Sequence, residues 1–107
     1  MEHISAPELA AWINDPERPT PLLLDVREPW EHQTCHIAGS QLVPMNTIPG
    51  RFSELDEEQP VVCICHHGGR SMQVAAFLER QGFTKVINLS GGVHAWAAQV
   101  DPSMPTY

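Results

Sequence analysis

Two short runs of side chains are nearly free of polar residues: Leu22-Leu23-Leu24-Asp25-Val26 and Val61-Val62-Cys63-Ile64-Cys65. A strand with one wet face alternates apolar and polar residues. A continuous apolar run of this length, bounded by proline or charge, marks a strand buried on both faces, and parallel sheets covered by helices contain such strands. Around these runs the apolar residues recur at helical spacing. Ser5-Ala6-Pro7-Glu8 offers a capping serine with a glutamate three residues on, and Leu9, Trp12 and Ile13 then mark the apolar face of a helix ending near Asn14-Asp15-Pro16. Pro29 to Thr34 makes a short helix, since proline suits a first turn. After Arg70, Val74, Phe77 and Leu78 share one helical face, and Gly82 follows as a terminator. Val86-Ile87-Asn88-Leu89 forms another strand, Ser90-Gly91-Gly92 a turn and Val93 to Val100 a last helix. His3-Ile4 is expected as a short edge strand, Leu42-Val43-Pro44 as a brief one, and Thr47 to Leu55 as one loose helix. This alternation predicts an α/β fold, with a mainly parallel sheet of four or five strands and helices on both faces.

A chain of 107 residues is one domain, expected over residues 1–100, with a tail over residues 101–107 that has no periodicity and should fray. Six basic residues against thirteen acidic ones give a net charge of −7. That balance argues against non-specific binding to nucleic acid or to an anionic membrane. No stretch is apolar for long enough to span a bilayer, and Met1-Glu2-His3 lacks the basic and apolar regions of a signal peptide. The three cysteines stand at 35, 63 and 65. Residues two apart on one strand rarely reach disulfide geometry, so a cytoplasmic, reducing environment is expected, and a monomer for so compact a chain. Trp12, Trp30 and Trp96 fall on helical apolar faces as core or rim residues.

In open α/β sheets ligands bind beyond the carboxyl ends of the strands. Cys65 is expected there, followed by His66, His67, Gly68, Gly69, Arg70 and Ser71 as a helix opens. Paired glycines let the backbone curl its amides inward, and a ring of amides at a helix N-terminus is an anion-binding nest. A cysteine inside it is expected to act as a thiolate nucleophile near neutral pH. Cys63, mid-strand and on the same side, reads as core, and Cys35 as a bystander. Cys63, Cys65, His66 and His67 could suggest zinc, but no second ligand pair follows at the usual spacing, so no metal is expected.

Cys65-His66-His67-Gly68-Gly69-Arg70-Ser71 resembles the active-site loop of the rhodanese family of sulfurtransferases. Leu24-Asp25-Val26-Arg27-Glu28, His36-Ile37-Ala38-Gly39-Ser40 and Gly91-Gly92-Val93-His94-Ala95-Trp96 are similar to three further family segments, the second with Ser40 where alanine is usual. The resemblance runs from Ile4 to Val100 and implies a single rhodanese-like domain. It further implies a thiosulfate sulfurtransferase in which Cys65 takes the outer sulfur of a small anionic donor as a persulfide. Cyanide, a thiol or an acceptor protein, such as a thioredoxin-like one, then removes that sulfur. Residues 66 to 71 would hold the anion, His66 and His67 as loop lining and Arg70 as anion ligand or as a brace for loop carbonyls. Asp25 and Arg27 would tie loops together. Two other readings stand beside this one: a binding or regulatory module without turnover, and a cysteine-based phosphatase. Only four residues separate Cys65 from Arg70, one fewer than in phosphatases of this fold, so the loop should clasp a single sulfur and crowd a phosphate.

Overall fold

In the computed structural model, which describes residues 1–107, the two apolar runs lie side by side inside a five-stranded sheet. The strands are β1 (Glu2–Ile4), β2 (Leu22–Asp25), β3 (Gln41–Leu42), β4 (Val61–Ile64) and β5 (Val86–Leu89). Their order is β1-β5-β4-β2-β3, and every neighbouring pair is parallel. Leu22 stands opposite Val61 and Asp25 opposite Ile64, and every residue of β4 is buried. The helices are α1 (Ala6–Ile13), α2 (Pro29–Thr34), α3 (Ile48–Arg51), α4 (Gly69–Arg80) and α5 (Gly92–Gln99).

Alternate side chains of the central strands serve two cores. On one face Leu23, Val62, Ile64, Ile87 and Leu89 pack with Leu9 and Trp12 of α1 and with Val93 and Trp96 of α5. On the other, Leu24, Val61, Cys63 and Val86 pack with Ile48 of α3 and with Val74 and Leu78 of α4. The capping box of α1 is formed in both directions: the Glu8 amide donates to Ser5 Oγ at 3.2 Å and the Ser5 amide to Glu8 Oε1 at 3.0 Å. Trp12 and Trp96 lie in the core, whereas Trp30 is 59% exposed.

Three expectations change in detail. The stretch from Thr47 to Leu55 is not one helix: α3 is a single turn between the 3-10 turns Met45–Thr47 and Phe52–Glu54. Pro49 and Gly50 within so short a span leave no cooperative run of helix formers. The third strand is Gln41–Leu42 rather than Leu42 to Pro44. The chain after Val100 is not frayed, for Met104 is 8% exposed within the α1/α5 core. Asp101 Oδ1 also accepts from the Ser103 amide and hydroxyl, at 3.1 and 2.6 Å. Single apolar residues can anchor a segment without any periodicity. No helix is long and apolar enough to cross a membrane.

Parallel pairing brings the carboxyl ends of β2, β4 and β5 to one edge of the sheet. There α5 comes within hydrogen-bond reach of the chain leaving β4. The Val93 amide donates to the Cys65 carbonyl at 2.9 Å and the His94 amide to the His66 carbonyl at 3.1 Å. Gly92, at φ +58°, makes this approach possible, since a Cβ there would stand 2.3 Å from the Cys65 oxygen and 2.4 Å from that of His66. Gly92→Ala is therefore expected to cost about 3 kcal/mol or more. Gly50→Ala, which meets nothing within 4 Å, should be neutral or slightly stabilising. Urea midpoints of the two variants test this.

Candidate active site

Cys65 follows the last residue of β4 and is 1% exposed. Its Sγ accepts from the Gly68 amide at 3.0 Å and lies 3.3 Å from Ser71 Oγ. Gly68 is the N-cap of α4 at φ +109°, a left-handed conformation that turns its N–H back onto the sulfur. The amides of His66, His67, Gly69, Arg70 and Ser71 donate to no other protein group. Unpaired amides around a thiol at a helix N-terminus form an electropositive cradle for an anion. His66 is half-buried beside it and His67 exposed. Burial first, and His67 next to it, lower the His66 pKa and so favour its neutral ring.

Ser71 is fully buried and donates to Asn88 Oδ1 of β5 at 2.5 Å. With its only proton there, the Ser71 oxygen can accept from a Cys65 S–H. For a thiolate, the hydroxyl has to turn its proton to the sulfur. Cys63 is wholly buried behind the loop, which pushes its thiol up to about 12, with Cys65 adding to the effect.

Arg70 does not reach the loop carbonyls. Its guanidinium instead forms a two-point ion pair with Glu31 of α2, Nη1 to Oε1 at 2.6 Å and Nη2 to Oε2 at 2.7 Å. Tyr107 Oη donates to the same carboxylate at 2.8 Å and accepts from Arg27 Nη1 at 2.8 Å. Burial, foremost, pushes the Tyr107 phenol up to about 12, so it keeps the proton it donates. Arg27 is completely buried and grips Asp25 through Nε at 2.9 Å and Nη2 at 2.6 Å, with Nη2 also on the Cys35 carbonyl at 2.7 Å. Asp25 and Arg27 thus tie the end of β2 to the turn after α2.

Glu31, Asn88 and Tyr107 were missed by reasoning from sequence. Asn88 had a signal, a lone amide inside the apolar run Val86 to Leu89. Glu31 and Tyr107 had none, because their partners lie 39 and 76 residues away. The largest concavity, about 400 Å³ between α3 and α4 near Ile48, Pro49 and Phe77, includes neither Cys65 nor its loop.

Set against known proteins, residues 5–99 match the family model described as rhodanese-like domain. The chain belongs to the rhodanese-like domain family. It is 43% identical over 76 residues to a protein named sulfurtransferase from Allochromatium vinosum, covering 71% of each chain. It is also 33% identical over 75 residues to thiosulfate sulfurtransferase GlpE of Stutzerimonas stutzeri, covering 70% of this chain and 69% of that one. Over its whole length it is 38% identical to the rhodanese-like/PpiC domain-containing protein 12, chloroplastic, of Arabidopsis thaliana, but spans only 38% of that protein. The crystal structure of a rhodanese-like domain protein from Staphylococcus aureus matches with a TM-score of 0.83 at 31% identity, covering 90% of this chain and 91% of that one.

The ion pair generates a pH prediction. Arg70, first, and the Glu28 amide and Tyr107 hydroxyl hold the Glu31 carboxyl at about 2, below its ordinary 4.5. A lowered folded-state value means that the stabilisation is complete above pH 4.5 and is lost as pH falls toward 2. Glu31→Gln should therefore lower stability at pH 7 by about 2 kcal/mol, a figure reduced for solvent screening at Arg70. It should also lose less than the wild type between pH 5 and pH 2.5. Parallel acid-unfolding curves of both proteins would refute the assignment.

Proposed function

We propose that this chain is a thiosulfate-type sulfurtransferase working through a Cys65 persulfide. The observation that carries the reading is the Cys65 sulfur receiving the Gly68 N–H within a loop of otherwise unpaired amides. Membership of the family and the names of its sulfurtransferase relatives support sulfur transfer as the reaction class.

The Cys65 thiolate attacks the outer sulfur of thiosulfate. The sulfur–sulfur bond of the donor breaks, its electron pair leaves with sulfite, and a Cys65–S–S⁻ persulfide remains. The charge of −3 on the reactants, one from the thiolate and two from thiosulfate, is kept as −1 on the persulfide and −2 on sulfite. Cyanide or a thiolate then attacks the terminal sulfur, and the bonding pair returns to Cys65. Backbone amides of residues 66 to 71 stabilise the terminal sulfur anion, as an oxyanion hole does for oxygen. His66 and His67 line the mouth. Arg70 holds the loop against α2 through Glu31 while adding positive potential. The reaction needs no cofactor. The acceptor in the cell is a small thiol or a protein thiol of the thioredoxin-like kind. The chain acts as a cytoplasmic monomer, a placement supported by three free, buried cysteines that need no oxidising compartment.

Intact mass after brief incubation with thiosulfate tests the mechanism. The wild type should gain one sulfur atom and lose it again to cyanide, while Cys65→Ser gains none. A gain that persists in Cys65→Ser assigns the chemistry to another cysteine, and no gain in either protein favours a binding module without turnover. Alkylation gives a second check. Iodoacetamide at pH 8 should label Cys65 first and Cys63 last, the latter because burial pushes its thiol up to about 12. Equal rates at all three cysteines would contradict this activation.

A further inference from the structure

Three imidazoles from separate parts of the sequence meet above the loop. His66 and His67 lie on the chain leaving β4, and His94 comes from the first turn of α5. One potential ligand nitrogen from each ring lies within 4.8 Å of the other two. Ring centroids are 4.0 Å apart for His66 and His67, 5.0 Å for His67 and His94, and 6.1 Å for His66 and His94. The backbone beneath them is fixed, because the His94 amide is bonded to the His66 carbonyl and Gly92 seats α5 against it. The Tyr107 ring stacks on the outer side of His66 at 4.0 Å and 14°. One ring is thus held in place, while the other two are exposed and free to turn.

A tetrahedral ion with metal–nitrogen bonds of about 2.0–2.1 Å needs ligand nitrogens about 3.3 Å apart. Closing the cluster to that spacing takes roughly 1.5 Å of movement, which rotamer adjustments of the exposed His67 and His94 can supply. Cys65 does not join the set, since its sulfur is buried and held by Gly68 and Ser71. Three imidazoles without a carboxylate favour borderline first-row ions over magnesium or calcium. In sequence His66-His67 lacked a second ligand group, and the fold supplies one through His94.

We propose that His66, His67 and His94 bind one divalent transition-metal ion, zinc or nickel, with a fourth position open to water. The site shares His66 and His67 with the mouth of the proposed sulfur-transfer site and adds His94, which takes no part in that reaction. The test is calorimetric titration of the full chain with Zn²⁺, with Co²⁺ absorption as the probe of ligand type. The expected result is one ion per chain and cobalt d–d bands without a thiolate-to-metal charge-transfer band. Binding should be unchanged in Cys65→Ser and in His32→Ala, which breaks the other stacked pair, His32 and His36. His94→Ala and His94→Gln, changes at an exposed side chain, should each weaken Zn²⁺ binding about tenfold or more. Absent binding, undiminished binding in both His94 variants, a thiolate band, or loss in Cys65→Ser or His32→Ala would each overturn the site. Because the titration reads binding without turnover, its outcome is independent of the persulfide experiment.

Discussion

The arrangement of the strand-end loops depends on one buried cation. Arg27 has no exposed surface, and an unpaired guanidinium there would be untenable. Its donors reach Asp25, the carbonyls of Glu31 and Cys35, and Tyr107 Oη, so each of its nitrogens has a partner. Burial works against its charge, but the Asp25 carboxylate and the Tyr107 hydroxyl outweigh it and raise its pKa above the ordinary value. Through these bonds Arg27 ties the end of β2 to Glu31 in α2, to Cys35 just after it and to residue 107. The Glu31 carboxylate that results is what Arg70 meets.

Two helix N-termini then converge on a single turn of chain. The first-turn amides of α5 close off the carbonyls of Cys65 and His66, while the first amides of α4 stay without a protein acceptor and its N-cap, Gly68, donates to the sulfur. The first arrangement gives rigidity and the second gives potential. Pairing Arg70 with Glu31 tempers the local positive charge without using the backbone amides, so those of residues 66, 67 and 69 to 71 stay unpaired.

How much of this was legible in the sequence follows the distance between partners. Cys65, Gly68 and Ser71 lie within one short segment, their geometry is local, and residue types alone outlined it. The central strands were equally legible, because burial on both faces leaves no alternation to misread. The partner of Arg70 was not: an anion or a loop carbonyl was the natural expectation, and only the fold brings Glu31, 39 residues away, to it. Tyr107 was hidden for a different reason. A residue in an aperiodic stretch rich in proline has no pattern to betray that it is seated, and its anchor depends on Arg27, eighty residues away. Gly92 was read as part of a turn, whereas its missing side chain is what lets a helix dock.

The strand order carries a consequence for how the chain becomes ordered. β1 pairs only with β5, Glu2 opposite Ile87 and Ile4 opposite Leu89, although α1 follows β1 directly. β1 therefore has no edge to join until β5 has been made. Pairing over such a separation is slow, since the intervening loop must close before any contact repays its entropy. A nascent chain can assemble β2, β3 and β4 with a partial core while Glu2 to Ile4 waits unpaired, and completes this sheet only when β5 pairs with β4 on one side and takes up β1 on the other.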